Sequence, residues 1–128
     1  MIAKKYEGVV FGVDFDGTCV LHEYPKVGRF IESQRVLHRI AVAGGLLVLN
    51  TMRSGKELQD AVDWFKQNGL PLYGVGENPT QKEWTSSPKC YARIYIDDAA
   101  LGCPLIKGEN GERDYVDWAA VEKLLFND

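Results

Sequence analysis

The stretch Val9-Val10-Phe11-Gly12-Val13-Asp14-Phe15-Asp16-Gly17-Thr18 constrains this chain more than any other, because an apolar, β-branched run delivers two aspartates, one residue apart, onto a glycine turn. A nearly continuous apolar run suits a central parallel strand covered on both faces, and predicts a first strand over Gly8 to Phe15. Past Asp14 the polarity changes abruptly, and Gly17 lets the backbone turn where a side chain would clash. Ligands of open α/β sheets bind beyond the carboxyl ends of the strands, so the two acids stand where chemistry is expected. Two carboxylates held there need a reason to stay charged. A divalent cation is the simplest one, since it offsets their repulsion and the cost of leaving water.

The rest of the chain alternates strand and helix signals, the pattern of βαβ units around a parallel sheet. Cys19 to Arg29 reads as an irregular loop or small hairpin, and Phe30 to Ala43 as a helix with Val36, Leu37, Ile40 and Ala41 on one face and Gly44-Gly45 as its stop. Leu46 to Asn50 is the second strand. Ser54 and Glu57 have the spacing of a capping box, and the helix they open carries Leu58, Ala61, Val62 and Phe65 before stopping at Asn68-Gly69. Leu72 to Val75 is a short third strand, Gly76 to Lys89 a polar loop at the site rim, and Arg93 to Ile96 a fourth strand. A hairpin or turn around Gly108 to Gly111 and a closing helix, Trp118 to Phe126, capped by Asp117, complete the order. There is no internal repeat.

A chain of 128 residues makes one domain, residues 1–128, with a respectable core. Its 45% hydrophobic and 26% charged content excludes disorder, coiled coil and fibre. A net charge of −3 gives no general attraction to nucleic acid, although a local patch containing Arg29, Arg35, Arg39 or Arg53 can still contact phosphates. Cys19, Cys90 and Cys103 are odd in number and lack C-x-x-C spacing, which argues against a disulfide framework or structural zinc and for a reducing cytoplasm. Met1-Ile2-Ala3-Lys4-Lys5-Tyr6-Glu7 breaks into charge at once, unlike a signal peptide, and no run approaches the roughly 20 apolar residues that span a bilayer.

Asp14-Phe15-Asp16-Gly17-Thr18 resembles the DxDGT signature of the haloacid dehalogenase superfamily, most of whose members are magnesium-dependent phosphatases. The remaining motifs follow in order. Leu46-Leu47-Val48-Leu49-Asn50-Thr51 resembles the second, a hydrophobic strand ending in Thr or Ser; Lys89 or Lys82 stands for the third, a lysine; Tyr95-Ile96-Asp97-Asp98 resembles the fourth, a strand ending in paired acids. The resemblance covers Val9 to Gly102. It implies a single-domain, three-layer Rossmann-like α/β sandwich with a mainly parallel central sheet. Neither gap between motifs can hold a large cap domain. With Pro25-Lys26-Val27-Gly28 and Thr51-Met52-Arg53, the chain is most similar to a small, capless bacterial and phage group. An open site of that kind admits a phosphorylated small molecule or a phosphorylated macromolecular end, or is closed by a second subunit.

The resemblance also implies roles. Asp14 would attack phosphorus and ligate Mg²⁺, forming an aspartyl-phosphate. Asp16 would protonate the leaving alcohol, then activate water, while its backbone carbonyl helps hold the metal. Asp97 and Asp98 would complete the oxygen ligands that magnesium requires. Thr51 would offer its hydroxyl and N–H to a phosphate oxygen. A lysine would stabilise the phosphoaspartate. Lys89 is preferred because Ser87-Pro88-Lys89 lies shortly before the fourth strand, and Lys82 competes. Arg53 would fork onto a second phosphate or carboxylate of the substrate, or else cap a loop or pair with Glu57. His22 and His38 read as loop and helix-surface residues. Trp64, Trp84 and Trp118 read as core or rim residues, with Trp84 a candidate to line a substrate pocket.

Two other functions use similar parts. Receiver domains of response regulators carry an acidic pair, a phosphorylatable aspartate, a Thr or Ser and a lysine around Mg²⁺, but their acidic pair comes first and no acid follows the phosphoacceptor two residues on. A phosphate-binding domain with vestigial catalysis is the other. Chain order favours the Mg²⁺-dependent phosphomonoester hydrolase.

Overall fold

The structure, a computed structural model, describes residues 4–127; the reading of Met1 to Ala3 as the start of a leaderless stretch lies outside them. Four strands, β1 (Val10–Val13), β2 (Leu46–Leu49), β3 (Leu72–Val75) and β4 (Ile94–Ile96), form one parallel sheet in the order β3-β2-β1-β4. β1 is interior, with Val13 level with Leu49 on one side and Ile96 on the other. The Asp14 N–H donates to the Ile96 carbonyl at 3.0 Å, so the acids that follow β1 and β4 leave the sheet side by side.

Three helices among the described residues, α1 (Ser33–Val42), α2 (Gly55–Gln67) and α3 (Trp118–Phe126), flank the sheet. Their apolar stripes, including Leu37, Ile40, Phe65 and Val121, join Phe11, Val13, Leu47 and Leu49 in one buried cluster. Fully burying each of the larger members contributes roughly 1.5–3 kcal/mol. Side chains alternate across a strand, so Val10 and Val48 face the other way, where they pack on Cys90 and Ala92. Connectivity accounts for this asymmetry. The β1-to-β2 and β2-to-β3 crossovers step in one direction along the sheet, and the β3-to-β4 crossover steps back. Right-handed crossovers of opposite direction lie on opposite faces. The expected α/β fold with a mainly parallel central sheet is present, and its third layer is the segment between β3 and β4, which contains only a short 3₁₀ turn, Gln81–Glu83.

Several boundaries differ from the sequence reading. α1 begins at Ser33 rather than Phe30, because Glu32 is left-handed at φ 67° and Phe30 instead bridges Val20. Ser54 makes no side-chain cap bond, so the capping box is not formed. Its backbone is extended, and Gly55 follows at φ 54°, in the left-handed region. At α3 the expected cap is present, with Asp117 accepting the Ala120 N–H at 3.1 Å. The hairpin is wider than its glycines suggest, pairing β5 (Leu105–Ile106) with β6 (Tyr115–Val116). Trp64 and Trp118 are buried in the core, whereas Trp84 is 61% exposed. No helix among the described residues is long and apolar enough to cross a membrane.

Candidate active site

Alternation along the chain after β1 separates the acids from the core. Phe15 is fully buried, edge-on to Trp64 at 5.6 Å, so Asp14 and Asp16 on either side of it are turned away from the helices. Asp14, Asp97 and Asp98 each place a carboxylate oxygen within 4.8 Å of the others. They meet where the strand order reverses between β1 and β4, the usual position of a ligand crevice in such sheets.

Thr18 ties this cluster together. Its buried hydroxyl donates to Asp14 Oδ2 at 2.8 Å and accepts the Asp98 N–H at 3.0 Å. Gly17 sits at φ 81°, which favours glycine, and a Cβ there would lie 2.6 Å from Asp98 Oδ2 and displace that carboxylate. The turn is anchored from behind: the Gly17 carbonyl accepts the Val116 N–H at 3.0 Å, and the Thr18 carbonyl accepts the Trp118 indole N–H at 2.7 Å.

Burial first, and the Asp97 charge next, push the Asp14 carboxyl up from 3.8 to about 8; the hydrogen bond from Thr18 pulls the other way. A bound cation would oppose that rise by favouring the charged form of Asp14. An all-oxygen set of three carboxylates fits a hard divalent ion such as Mg²⁺. Burial pushes the thiol of Cys19, beneath the turn, well above its ordinary range, which disfavours the thiolate.

Asp16 takes a different course from its neighbours. Arg53 Nε and Nη2 donate to its two oxygens, each at 2.8 Å. The remaining Arg53 donors reach the carbonyls of Pro25, Glu57 and Lys26 at 3.2, 3.1 and 2.6 Å. All five N–H bonds of the guanidinium are therefore engaged, and the side chain is 1% exposed. Of the expectations for Arg53, the substrate fork is corrected, since it has no donor to offer; the loop cap is present, and the paired acid is Asp16 rather than Glu57. Arg53 holds the loop after β1 and the start of α2 against Asp16.

Thr51 Oγ1 accepts the Arg53 N–H at 3.1 Å, which leaves its own hydroxyl proton for a ligand. Asp14, Asp16, Thr51, Arg53, Asp97 and Asp98 all line one cleft of about 430 Å³. Lys89 lies outside it, in an adjoining cleft that shares Asp97 and Ala99, with its ammonium 5.6 Å from the Tyr95 ring centre. Lys82 is turned to Glu77 at 3.2 Å and lines neither. The arginines offered as a phosphate patch are paired with acids: Arg29 with Glu23 and Glu112, Arg35 and Arg39 with Glu122.

Sequence reasoning missed three residues here. Thr18 was read as part of a signature, not as the group that orients Asp14. His22 and Arg113 also line the cleft, with Arg113 Nη1 3.1 Å from His22 Nε2. Nothing in their local pattern marks them, since they are 91 positions apart in the chain.

No protein-family model matches this chain, and no curated protein matches it. Among solved structures, a conserved protein from Bacteroides thetaiotaomicron is similar, with a TM-score of 0.77 and 27% identity, covering 93% of this chain and 90% of that one.

Proposed function

We propose that this protein is a Mg²⁺-dependent phosphomonoester hydrolase of the haloacid dehalogenase type, with Asp14 as the phosphoryl acceptor. The observation that carries the reading is the convergence of Asp14, Asp97 and Asp98 within 4.8 Å at the switch point of a parallel sheet, in the chain order of that superfamily. A bound divalent cation would supply charge neutralisation as phosphate and carboxylates come together.

The chain's own residues do the rest. An Asp14 carboxylate oxygen, oriented by Thr18, bonds to phosphorus as the bond to the leaving oxygen breaks and that oxygen takes its proton from the Asp16 carboxyl. Thr51 donates its hydroxyl to a phosphoryl oxygen, and Lys89, from the adjoining cleft, offsets its charge. Asp16 then accepts a proton from the water that cleaves the acyl phosphate. Substrates are phosphorylated small molecules or macromolecular ends that fit an open cleft.

One observation favours a second reading. Both Asp16 oxygens accept from the buried Arg53, so in this arrangement the carboxyl is clamped to the protein rather than turned toward a leaving oxygen. A domain that accepts or binds phosphate with little turnover would be built this way. The deciding experiment is Mg²⁺-dependent phosphate release by wild type and Asp14→Asn on an aryl phosphate, nucleotides, sugar phosphates and phosphorylated DNA ends. Release that needs both Mg²⁺ and Asp14 is expected. Release retained in Asp14→Asn would remove Asp14 from the chemistry, and phosphoprotein that accumulates without release would favour the second reading.

A further inference from the structure

Two arginines line the cleft, and they differ in one respect that bears on the substrate. Arg53 has every donor engaged within the protein. Arg113 forms no ion pair with an acid among the described residues, and its one hydrogen-bond partner is His22. The acids beside it in the chain are held elsewhere, Glu112 by Arg29 and Asp114 by the Gly108 N–H at 3.0 Å. A guanidinium has donors only, so in this contact His22 Nε2 is the acceptor. That contact uses one of five N–H bonds and leaves the fork open to solvent in the cleft.

Its mounting is fixed rather than trailing. Arg113 lies just before β6, whose Val116 N–H is bonded to the Gly17 carbonyl of the Asp14 turn, and the Arg29–Glu112 pair ties the same hairpin to the loop that carries His22. A positive group held at one part of a cleft whose other part gathers three carboxylates separates two anion-binding tasks. The acids, through a cation, take the reacting phosphate; Arg113 is left to take something else negative.

We infer that Arg113, oriented by His22, forms a second anion subsite in the cleft, so that the substrate is a phosphomonoester bearing a further phosphate or carboxylate. This rests on the reading of Asp14 as phosphoryl acceptor. An exposed guanidinium binds carboxylate or phosphate through paired N–H bonds to two of the anion's oxygens.

The test is calorimetric binding at fixed free Mg²⁺ of three probes sharing a three-carbon chain: propylphosphonate, trimethylene diphosphonate and γ-phosphonobutyrate. For wild type, one or both doubly anionic probes should bind about tenfold tighter than propylphosphonate. The better of the two identifies the second group as phosphate or carboxylate. Arg113→Ala should bring that ratio to about one, and Arg113→Lys should keep part of it, since a point charge lacks the fork. A ratio near one in wild type, or one unaltered by Arg113→Ala, overturns the inference. None of the probes is hydrolysed, so the ratio is read whether or not the protein turns over phosphomonoesters. A preference that depends on Arg113, without phosphate release from any ester, removes the hydrolase reading and leaves the subsite. Release without such a preference removes the subsite alone.

Discussion

Arg53 and Asp16 face each other fork to fork, with both Nε and Nη2 at 2.8 Å from the carboxylate oxygens and the guanidinium almost wholly buried. The pair joins the loop after β1 to the start of α2, and it decides which of the four acids is available to a cation. Among the described residues Asp14, Asp97 and Asp98 cluster without an ion pair, while Asp16 already has one.

Removing one partner of a buried ion pair leaves the other charge uncompensated. Arg53→Met should therefore destabilise the protein by about 3–5 kcal/mol in urea unfolding. Arg53→Lys should recover little, because an ammonium cannot reach both oxygens and three carbonyls. Adding Asp16→Asn to Arg53→Met should restore part of the loss. A single-variant loss under about 1 kcal/mol would mean the pair behaves as a surface contact.

Asp14 makes stability depend on pH in the direction opposite to an ordinary paired carboxylate. Its folded value of about 8 lies above the unfolded 3.8, so the favourable proton is fully bound below pH 3.8 and is lost as pH rises through 8. With a chelator present, Asp14→Asn should match wild type near pH 4 and melt higher at pH 9. Each pKa unit corresponds to about 1.4 kcal/mol, so the gain is on the order of a few kcal/mol. Thermal melts across this range check it, and equal melting temperatures at pH 9 would contradict it. Saturating Mg²⁺ should close the gap by stabilising wild type.

Glu122 behaves in the ordinary sense. Arg35 donates to both its oxygens at 2.7 and 2.9 Å, and Arg39 to one at 2.8 Å, joining α3 to α1. Arg35 first, then Arg39, holds its carboxyl down from 4.5 to about 2. The stabilisation is thus present above pH 4.5 and lost as pH falls through 2. Glu122→Gln should lower the melting temperature at pH 6, with the difference shrinking below pH 4. Because Arg35 is 63% exposed, added salt should also reduce it.

What could be read from residues alone was local. The apolar run into Asp14, the glycine turn at Gly17, the strand ending at Ile96 before Asp97 and the cap at Asp117 all depend on near neighbours. Period and turn chemistry therefore placed them to within a residue or two. Ser54 is the instructive miss: its spacing to Glu57 fits a capping box, yet its side chain makes no cap bond, and the left-handed Gly55 beside it is a feature that spacing does not encode.

The sequence by itself thus determined the strand-and-helix order, the parallel sheet and the acids at its carboxyl edge, because these follow from the local alternation of apolar and polar residues. Tertiary structure decided the pairings. Arg53 meets Asp16 across 37 positions and Arg113 meets His22 across 91. Contacts of that range depend on how crossovers fold back over the sheet and which charges remain once others have paired, and chain spacing carries neither. That is why chain spacing leaves Arg53 open between a substrate fork and a loop cap, which the tertiary structure resolves as a clamp, while Arg113, unmarked by any motif, is the arginine left open in the cleft.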